Sequence, residues 1–209
     1  MQFNCHIRLG KLLSREFNIR GAAKAAFLWG NVEPDIAFTS HFCRRTAEQL
    51  EGHNYPLASR KAARLMRKLP ADGARSLKDF FRLGKICHYA ADCFTWPHNP
   101  DYPGTLSAHI SYEQKMNAAF HGYIPPDGLE DEKDLPVSEI LDAAHIRYAA
   151  EEPSIARDLR FILAIGLKLA GAYAGSGEVA LDEMLTLPDC KEPDETVREI
   201  DSELLPRLI

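Results

Sequence analysis

Apolar residues recur at helical spacing through most of the chain, whereas alternating patterns of the length of a strand are hard to find. The pattern therefore predicts an all-α fold, in the form of a single-domain multi-helix bundle. The predicted helices span approximately residues 4–17, 20–30, 56–69, 76–94, 106–121, 136–151 and 154–174, with a further short helix near 194–205.

Capping and loop residues support the predicted helix boundaries. Ser76 opens the fourth predicted helix and has Asp79 three residues later, which is the arrangement of a helix N-cap. Residues 96–100, Trp-Pro-His-Asn-Pro, cannot continue that helix, because proline lacks an N–H group and clashes with the preceding turn. Residues 125–136 are acidic and rich in proline and glycine, and they predict a surface loop.

Composition limits the class of protein. A length of 209 residues without a linker-like stretch favours one domain. No stretch approaches the run of about 20 apolar residues that a transmembrane helix needs. The first residues lack the apolar core of a signal peptide, so we expect a cytoplasmic location. The odd number of cysteines, without paired spacing, favours free thiols at Cys5, Cys43, Cys87, Cys93 and Cys190.

Charge is unevenly distributed along the chain. Residues 1–88 hold 16 Lys and Arg against 7 Asp and Glu, and the remainder holds 9 against 23, so that +9 and −14 give the net charge of −5. The basic half could attract an anionic substrate, but a solvated helical surface has the same composition. Charge alone therefore does not select a function.

Candidate metal ligands are concentrated between residues 88 and 113. His88 and Asp92 are four residues apart on one predicted helix, so their side chains project from the same face. His109 and Glu113 repeat this spacing on the next helix, and His98 lies between the pairs. The flanking residues are apolar or aromatic, and buried histidines and carboxylates would be costly there without a cation. The pattern His-x3-Asp-x5-His-x10-His-x3-Glu therefore predicts a metal site.

This segment resembles the core signature of the zinc-dependent phospholipases C and of the related fungal single-strand nucleases. In that signature His-x3-Asp-x5-His is followed by His-x3-Glu or His-x3-Asp. Upstream, residues 30–35 (Gly-Asn-Val-Glu-Pro-Asp) resemble the family's Gly-x-x-x-Pro-Asp, whose aspartate is a zinc ligand and a candidate catalytic base. The resemblance gives both roles to Asp35. His6 resembles the N-terminal histidine that binds a third metal in the family. Taken together, the matching motifs span residues 6–115.

One more histidine is expected after Asp35, and two positions fit. His41, in Ser-His-Phe, resembles the secreted members of the family. His53 directly precedes a predicted helix, as in what look like shorter intracellular relatives, and is the preferred ligand. His121 and His145 match no family position, and we expect them to be surface or supporting residues.

The resemblance implies a bundle of the phospholipase C and zinc nuclease type around two or three zinc ions. One ion would lie on Asp35, His53, His88 and Asp92, a second on His98, His109 and Glu113, and a third on His6 with Asp92 bridging. In the family the N-terminal amine also binds the third metal, so Met1 would have to supply it here. The implied reaction is attack of a metal-bridging hydroxide on a phosphodiester.

Several readings of the substrate and role stay open. A phospholipid head group or a related phosphodiester is the expected substrate, while a nucleotide and a small phosphodiester stay open. Peripheral contact with a membrane is compatible with a lipid substrate, and single-stranded nucleic acid is not favoured. The main alternative is a non-catalytic metal-binding or structural protein on the same scaffold. A His-Asp phosphohydrolase is disfavoured because no adjacent His-Asp pair occurs, and a di-iron bundle because it would need Glu-x-x-His.

Overall fold

The computed structural model of the chain describes residues 1–41, 54–121 and 139–174, with side chains for all of these except residues 37–41. Over these ranges the fold is all-α, as predicted, without a strand. The helices are α1 (Phe3–Glu16), α2 (Gly21–His41), α3 (Tyr55–Met66), α4 (Leu77–Cys93), α5 (Leu106–Phe120), α6 (Ile140–Ala150) and α7 (Ile155–Ala174). Within the same ranges, none of the helices is long and apolar enough to cross a membrane.

The chain divides into two compact units, Met1–Gly177 and Glu178–Ile209. The second unit lies outside the described residues, and so do the short helix predicted near 194–205 and the loop predicted at 125–136. The single-domain organisation predicted for the whole chain therefore stays a prediction.

Helix α4 lies at the centre of the first unit, where it packs against α2, α3 and α7. Its start is capped as predicted: the Ser76 hydroxyl accepts a hydrogen bond from the Asp79 N–H, and the Asp79 carboxylate accepts one from the Ser76 N–H, both at 3.2 Å. Every residue from Ile86 to Cys93 is buried. Because a helix that is buried all round belongs to the core, the polar side chains of this stretch are enclosed in the interior.

Helix α2 is longer than the sequence pattern predicted. The prediction ended it at residue 30 and was wrong, because the helix continues through Pro34 to His41. A proline inside a helix removes one backbone hydrogen bond and strains the preceding turn. Tertiary packing along α4 outweighs this local penalty, and residues 30–35 therefore form helical turns instead of a loop.

Two glycines allow α2 and α4 to approach closely. A Cβ atom added at Gly30 would lie 2.1 Å from the carbonyl oxygen of Phe81, and one added at Gly84 would lie 2.1 Å from the carbonyl oxygen of Phe27. Only glycine fits at either position without a backbone shift. The contact brings the C-terminal half of α2 beside the end of α4 that carries candidate metal ligands.

The chain turns sharply after α4, as the prolines predicted. A 3-10 helix follows at Trp96–His98. The Thr95 hydroxyl donates to the carbonyl oxygen of Ala91 at 3.0 Å, and the Asn99 amide donates to the carbonyl oxygen of Thr95 at 2.9 Å. These hydrogen bonds hold the 3-10 helix against the end of α4.

Three of the five cysteines, Cys5, Cys87 and Cys93, are free and buried, as predicted. Cys43 and Cys190 lie outside the described residues. Burial raises the pKa of the Cys5 thiol to about 11 and that of the Cys87 thiol to about 12. These thiols therefore act as apolar core groups and not as nucleophiles.

Candidate metal centre

Seven of the eight predicted ligands lie within the described residues, and they meet around the C-terminal end of α4. They are His6 on α1, Asp35 on α2, His88 and Asp92 on α4, His98 on the 3-10 helix, and His109 and Glu113 on α5. Six of them form two groups of three, and in each group one ligand atom per residue lies within 4.8 Å of the others. Asp92 lies between the two groups.

The first group consists of His6, Asp35 and His88. Asp35 Oδ2 lies 4.0 Å from His6 Nε2, and Asp35 Oδ1 lies 3.6 Å from His88 Nε2. The two imidazole rings are stacked, with their centroids 3.8 Å apart and their planes at 19°. Both histidines are fully buried, so their nitrogen atoms are withdrawn from water.

The backbone of α2 fixes the orientation of the His88 ring. His88 Nδ1 lies 2.8 Å from the carbonyl oxygen of Asn31, and Nδ1 must carry the hydrogen because a carbonyl oxygen only accepts. The Nε2 atom of neutral His88 is therefore an acceptor, yet it faces Asp92 Oδ2 at 3.2 Å and Asp35 Oδ1 at 3.6 Å. This arrangement of lone pairs is stable only with a cation, either a proton or a metal ion. Metal-binding histidines commonly donate their other N–H group to a carbonyl in this way.

The second group consists of His98, His109 and Glu113. Glu113 Oε1 lies 3.2 Å from His98 Nε2 and 3.1 Å from His109 Nε2. The His109 side chain is 29% exposed, against 6% for His98, so the second group reaches the surface on the side of α5.

The buried carboxylate of Asp92 joins the two groups. Asp92 Oδ1 lies 3.4 Å from His6 Nε2 and 3.3 Å from His98 Nδ1, while Asp92 Oδ2 faces His88. The side chain is fully buried. Asp92 Oδ1 therefore faces one histidine of each group, so this carboxylate connects the two groups.

The α-amino group of Met1 lies within the same centre. Its nitrogen is 2.9 Å from Asp92 Oδ1, 3.0 Å from Glu113 Oε1 and 3.2 Å from His98 Nε2. Burial alone would lower the pKa of this amine, but the carboxylates of Asp92 and Glu113 raise it to about 11. The sequence left open whether Met1 supplies an amine to the centre, and in the structure that amine lies among the candidate ligand atoms.

The electrostatics of the centre favour the neutral form of His6 and the charged form of Glu113. Burial and the neighbouring His88 lower the pKa of His6 to about 4. Burial alone would raise the pKa of Glu113, but the Met1 ammonium and the hydrogen bonds from His109 and His98 hold it well below its usual range. His6 is therefore an uncharged nitrogen donor, and Glu113 is an anionic oxygen donor.

The donors of the centre fit a metal ion. Among the residues that the structure describes, both ring nitrogens of His6 and the Oδ2 atom of Asp35 are buried without a hydrogen-bond partner. An unpaired buried polar atom costs about 1–3 kcal/mol, and coordination to an ion would remove that cost. Imidazole nitrogen with carboxylate oxygen is a donor set that zinc takes. Manganese and iron accept the same donors.

The choice between His53 and His41 stays a prediction. His53 lies outside the described residues, and His41 is the last residue of α2, where side chains are not described.

The position of His6 differs from the implied arrangement in one respect. The resemblance implied a separate third ion on His6, whereas His6 lies in one group with Asp35 and His88.

The two histidines without a family position lie apart from the ligand groups. His121 is exposed at the C-terminal end of α5. His145, on α6, is partly buried and stacks on Tyr55 with the ring centroids 3.4 Å apart. His145 Nε2 lies 2.7 Å from Asn99 Oδ1 and donates to it, because an amide oxygen only accepts. His145 therefore supports the residue that follows His98.

Asn31 contacts a candidate ligand, and sequence reasoning missed it. Its carbonyl oxygen orients His88, and its side-chain amide donates to the carbonyl oxygen of Phe27 at 3.0 Å. The available signal was its position one helical turn before Asp35. That signal was lost because the predicted helix ended at residue 30.

The fold and the site together define a helical protein with a buried centre of histidine and carboxylate donors. The family model for zinc-dependent phospholipase C matches residues 5–158, which is more than half of the chain, and the chain belongs to this family. The match extends past residue 115, where the motif resemblance ended, through α6 to the start of α7. No curated protein and no solved structure matches the chain.

Proposed function

We propose that the protein is a zinc-dependent phosphodiesterase that hydrolyses a phospholipid head group or a related phosphodiester. Membership of the zinc-dependent phospholipase C family supports this chemistry at the level of the family. The observation that carries the proposal is the convergence of two groups of histidine and carboxylate donors on one buried carboxylate, Asp92.

Two or three zinc ions fit these donors. The proposed ligands are Asp35, His53, His88 and Asp92 for one ion, His98, His109 and Glu113 for a second, and His6 with Asp92 and the Met1 amine for a third. The distances of 2.9 Å from the Met1 nitrogen and 3.4 Å from His6 Nε2 to Asp92 Oδ1 support the third set. Because His6 also lies beside Asp35, the same donors can serve a centre of two ions.

When bound, zinc lowers the pKa of water towards neutrality and stabilises the negative charge that develops on the phosphate oxygens. The protein needs no side-chain nucleophile for this reaction. Asp35 is the proposed base, since its side chain is 23% exposed whereas that of Asp92 is fully buried. A base must reach the water that attacks the substrate, so Asp35 accepts the proton in addition to its role as a ligand, whereas Asp92 serves as a ligand only.

Two exposed apolar residues on helix α5 favour a lipid-like substrate. Leu106 and Ile110 are 71% and 47% exposed and lie four residues apart. His109 and Glu113 follow Leu106 by three and seven residues, so the apolar pair and the two ligands share one face of α5. An amphiphilic substrate, or a membrane surface that presents it, could therefore contact the apolar pair while its phosphodiester reaches the centre.

The proposal is tested by measuring zinc content with plasma mass spectrometry and hydrolysis of bis(p-nitrophenyl) phosphate on the same untagged protein. Wild type is compared with Asp92→Asn, which keeps the shape of the side chain and removes its charge. The matched control is Asp72→Asn, a carboxylate that is 57% exposed on the surface. We expect two or three zinc ions per chain in wild type and control, and loss of both zinc and hydrolysis in Asp92→Asn.

The other outcomes distinguish the alternatives. Metal-free wild type that stays folded would exclude the zinc centre. Full zinc content without hydrolysis of any phosphodiester would favour a non-catalytic metal-binding protein. Cleavage of single-stranded nucleic acid without cleavage of phospholipid would favour a nuclease.

A further inference from the structure

Helix α5 carries two of the proposed ligands but is weakly held by apolar packing. Of its residues, all within the described ranges, Met116 alone is buried. Its C-terminal half is tied to α1 by Arg8, which donates to the backbone carbonyl and to the side-chain Oδ1 of Asn117 at 2.7 and 2.9 Å. The half that bears His109 and Glu113 needs a contact of its own to fix the position of these ligands.

A buried carboxylate on α7, Asp158, makes that contact. Asp158 Oδ2 accepts a hydrogen bond from the Tyr112 hydroxyl at 2.9 Å and another from the backbone N–H of Trp96 at 2.8 Å. Tyr112 directly precedes Glu113 on α5, and Trp96 lies two residues before His98 on the 3-10 helix. One oxygen atom therefore joins the two elements that contribute all three ligands of the second group.

The other oxygen holds Asp158 itself in place. Asp158 Oδ1 accepts from the Tyr148 hydroxyl at 2.8 Å and from Arg157 Nη2 at 3.1 Å. The Arg157 guanidinium also donates to the carbonyl oxygens of Tyr148 and Glu151, at 3.3 and 2.8 Å. It stacks on the Tyr148 ring, 3.8 Å from the ring centroid. Because Asp158 is fully buried and held by several donors, it is a rigid point of attachment.

We infer that Asp158, acting through Tyr112 and Trp96, is a positioning residue that sets the distance between the 3-10 helix and α5 in the second ligand group. The inference rests on the proposed function, in which His98, His109 and Glu113 bind zinc. Metal ligands must meet within tenths of an ångström, and supporting groups around a site typically change metal affinity by about 10- to 100-fold when they are lost. Within the described residues Asp158 makes its hydrogen bonds to Trp96, Tyr112, Tyr148 and Arg157 and not to the ligands themselves, so it acts on the ligands through their neighbours.

The chain offers a matched pair of variants for the test. Tyr112→Phe and Tyr148→Phe each remove one hydroxyl that donates to Asp158, but Tyr112 belongs to the ligand-bearing α5 and Tyr148 to α6, which carries none of the proposed ligands. Zinc affinity is measured on untagged protein by competition with a chromophoric chelator. Thermal unfolding in EDTA measures the stability of the zinc-free protein.

We expect Tyr112→Phe to weaken the binding of one zinc ion by about 10-fold. Tyr148→Phe should lower stability but leave zinc affinity within about twofold of wild type, because the Arg157 guanidinium still holds Asp158 Oδ1. Asp158→Asn should lower the affinity for the same zinc ion further. In the background of His109→Asn, which already removes a ligand of that ion, Tyr112→Phe should cause no additional loss. Hydrolysis by Tyr112→Phe should recover when zinc is supplied in excess.

Two results would overturn the inference separately. If wild type binds zinc and the two tyrosine variants change affinity equally, the network is only structural and Asp158 does not position the ligands. If wild type binds no zinc, the proposed function fails, and the inference fails with it. The wild-type titration therefore distinguishes the two failures before any variant is compared.

Discussion

His6 on α1 and His88 on α4 lie with their imidazole rings stacked, 3.8 Å between centroids, and the Nε2 atoms of both face the carboxylate of Asp92 at 3.4 and 3.2 Å. Two protonated rings would repel each other in this position. Burial and His88 accordingly lower the pKa of His6 to about 4. His6 is therefore a neutral, fully buried ring whose nitrogen atoms have no hydrogen-bond partner within the described parts of the chain, which suits a ligand and costs stability.

Replacing His6 by leucine should raise the free energy of unfolding of the zinc-free protein by about 1 kcal/mol, because it removes unpaired polar atoms from the core. Zinc content should fall at the same time. Urea unfolding in EDTA and plasma mass spectrometry measure the two effects. His121→Leu, at an exposed position, is the control and should change neither. A zinc-free His6→Leu protein less stable than wild type would contradict the assignment of His6 as a ligand that costs stability.

Extending the chain by a Gly-Ser dipeptide before Met1 should reduce zinc content and destabilise the zinc-free protein. The extension converts the buried ammonium between Asp92 and Glu113 into an uncharged amide. Removing one partner of a buried ion pair costs about 3 kcal/mol or more. The same dipeptide added after Ile209 is the control. Equal zinc content and equal unfolding midpoints for the two proteins would show that the amine has no role in the centre.

Gly84→Ala should lower the free energy of unfolding by at least about 2 kcal/mol, because the new methyl group meets the backbone carbonyl of Phe27 and forces α2 away from α4. Zinc binding should weaken too, since Asp35 and His88 come from these two helices. At Gly166 an added Cβ makes only ordinary contacts of 3.4 Å. Gly166→Ala should therefore leave stability unchanged or raise it by up to about 1 kcal/mol. Urea unfolding of both variants tests the prediction, and a stable Gly84→Ala would contradict the close approach.

The stability of the zinc-free protein should fall between pH 6.5 and pH 4 partly because of His145. Burial lowers the pKa of His145 from 6.5 to about 4, so the unfolded chain binds a proton at higher pH than the folded one. The stability that neutral His145 contributes is therefore fully present above pH 6.5 and is lost as the pH falls towards 4. Over that range the free energy of unfolding decreases by up to about 1.4 kcal/mol per pH unit. His145→Gln should show a shallower fall in urea unfolding midpoints than wild type and than the exposed control His121→Gln. Parallel pH profiles would show that His145 titrates normally in the folded state.

Replacing Leu106 and Ile110 together by serine should reduce hydrolysis of phospholipid vesicles by about 10-fold, the equivalent of about 1.4 kcal/mol of lost apolar contact. Hydrolysis of bis(p-nitrophenyl) phosphate, which needs no apolar surface, should be unchanged. Ile146→Ser, at a position on α6 that is 73% exposed, is the control. An equal loss with both substrates would indicate a disturbed centre and not a lipid contact.

The all-α class and the motif around α4 could be predicted from the sequence, because both depend on local spacing. Apolar periodicity requires only neighbouring residues, and it predicted every α-helix of the described ranges, with α2 too short. The four-residue spacing of His88 with Asp92, and of His109 with Glu113, places each pair on one helical face whatever the rest of the chain does. The capping of α4 by Ser76 is local in the same way.

The arrangement of the centre was decided only by the tertiary structure, because it depends on how distant helices pack. Gly30 and Gly84 bring α2 against α4, and this packing carries the helix through Pro34 and sets the Asn31 carbonyl against the His88 ring. No spacing along the chain encodes that contact. The position of the Met1 amine beside Asp92, 91 residues away in the sequence, likewise follows from the packing of α1 against the helices around it. Local spacing determined which side chains could act together, and helix packing determined which of them meet.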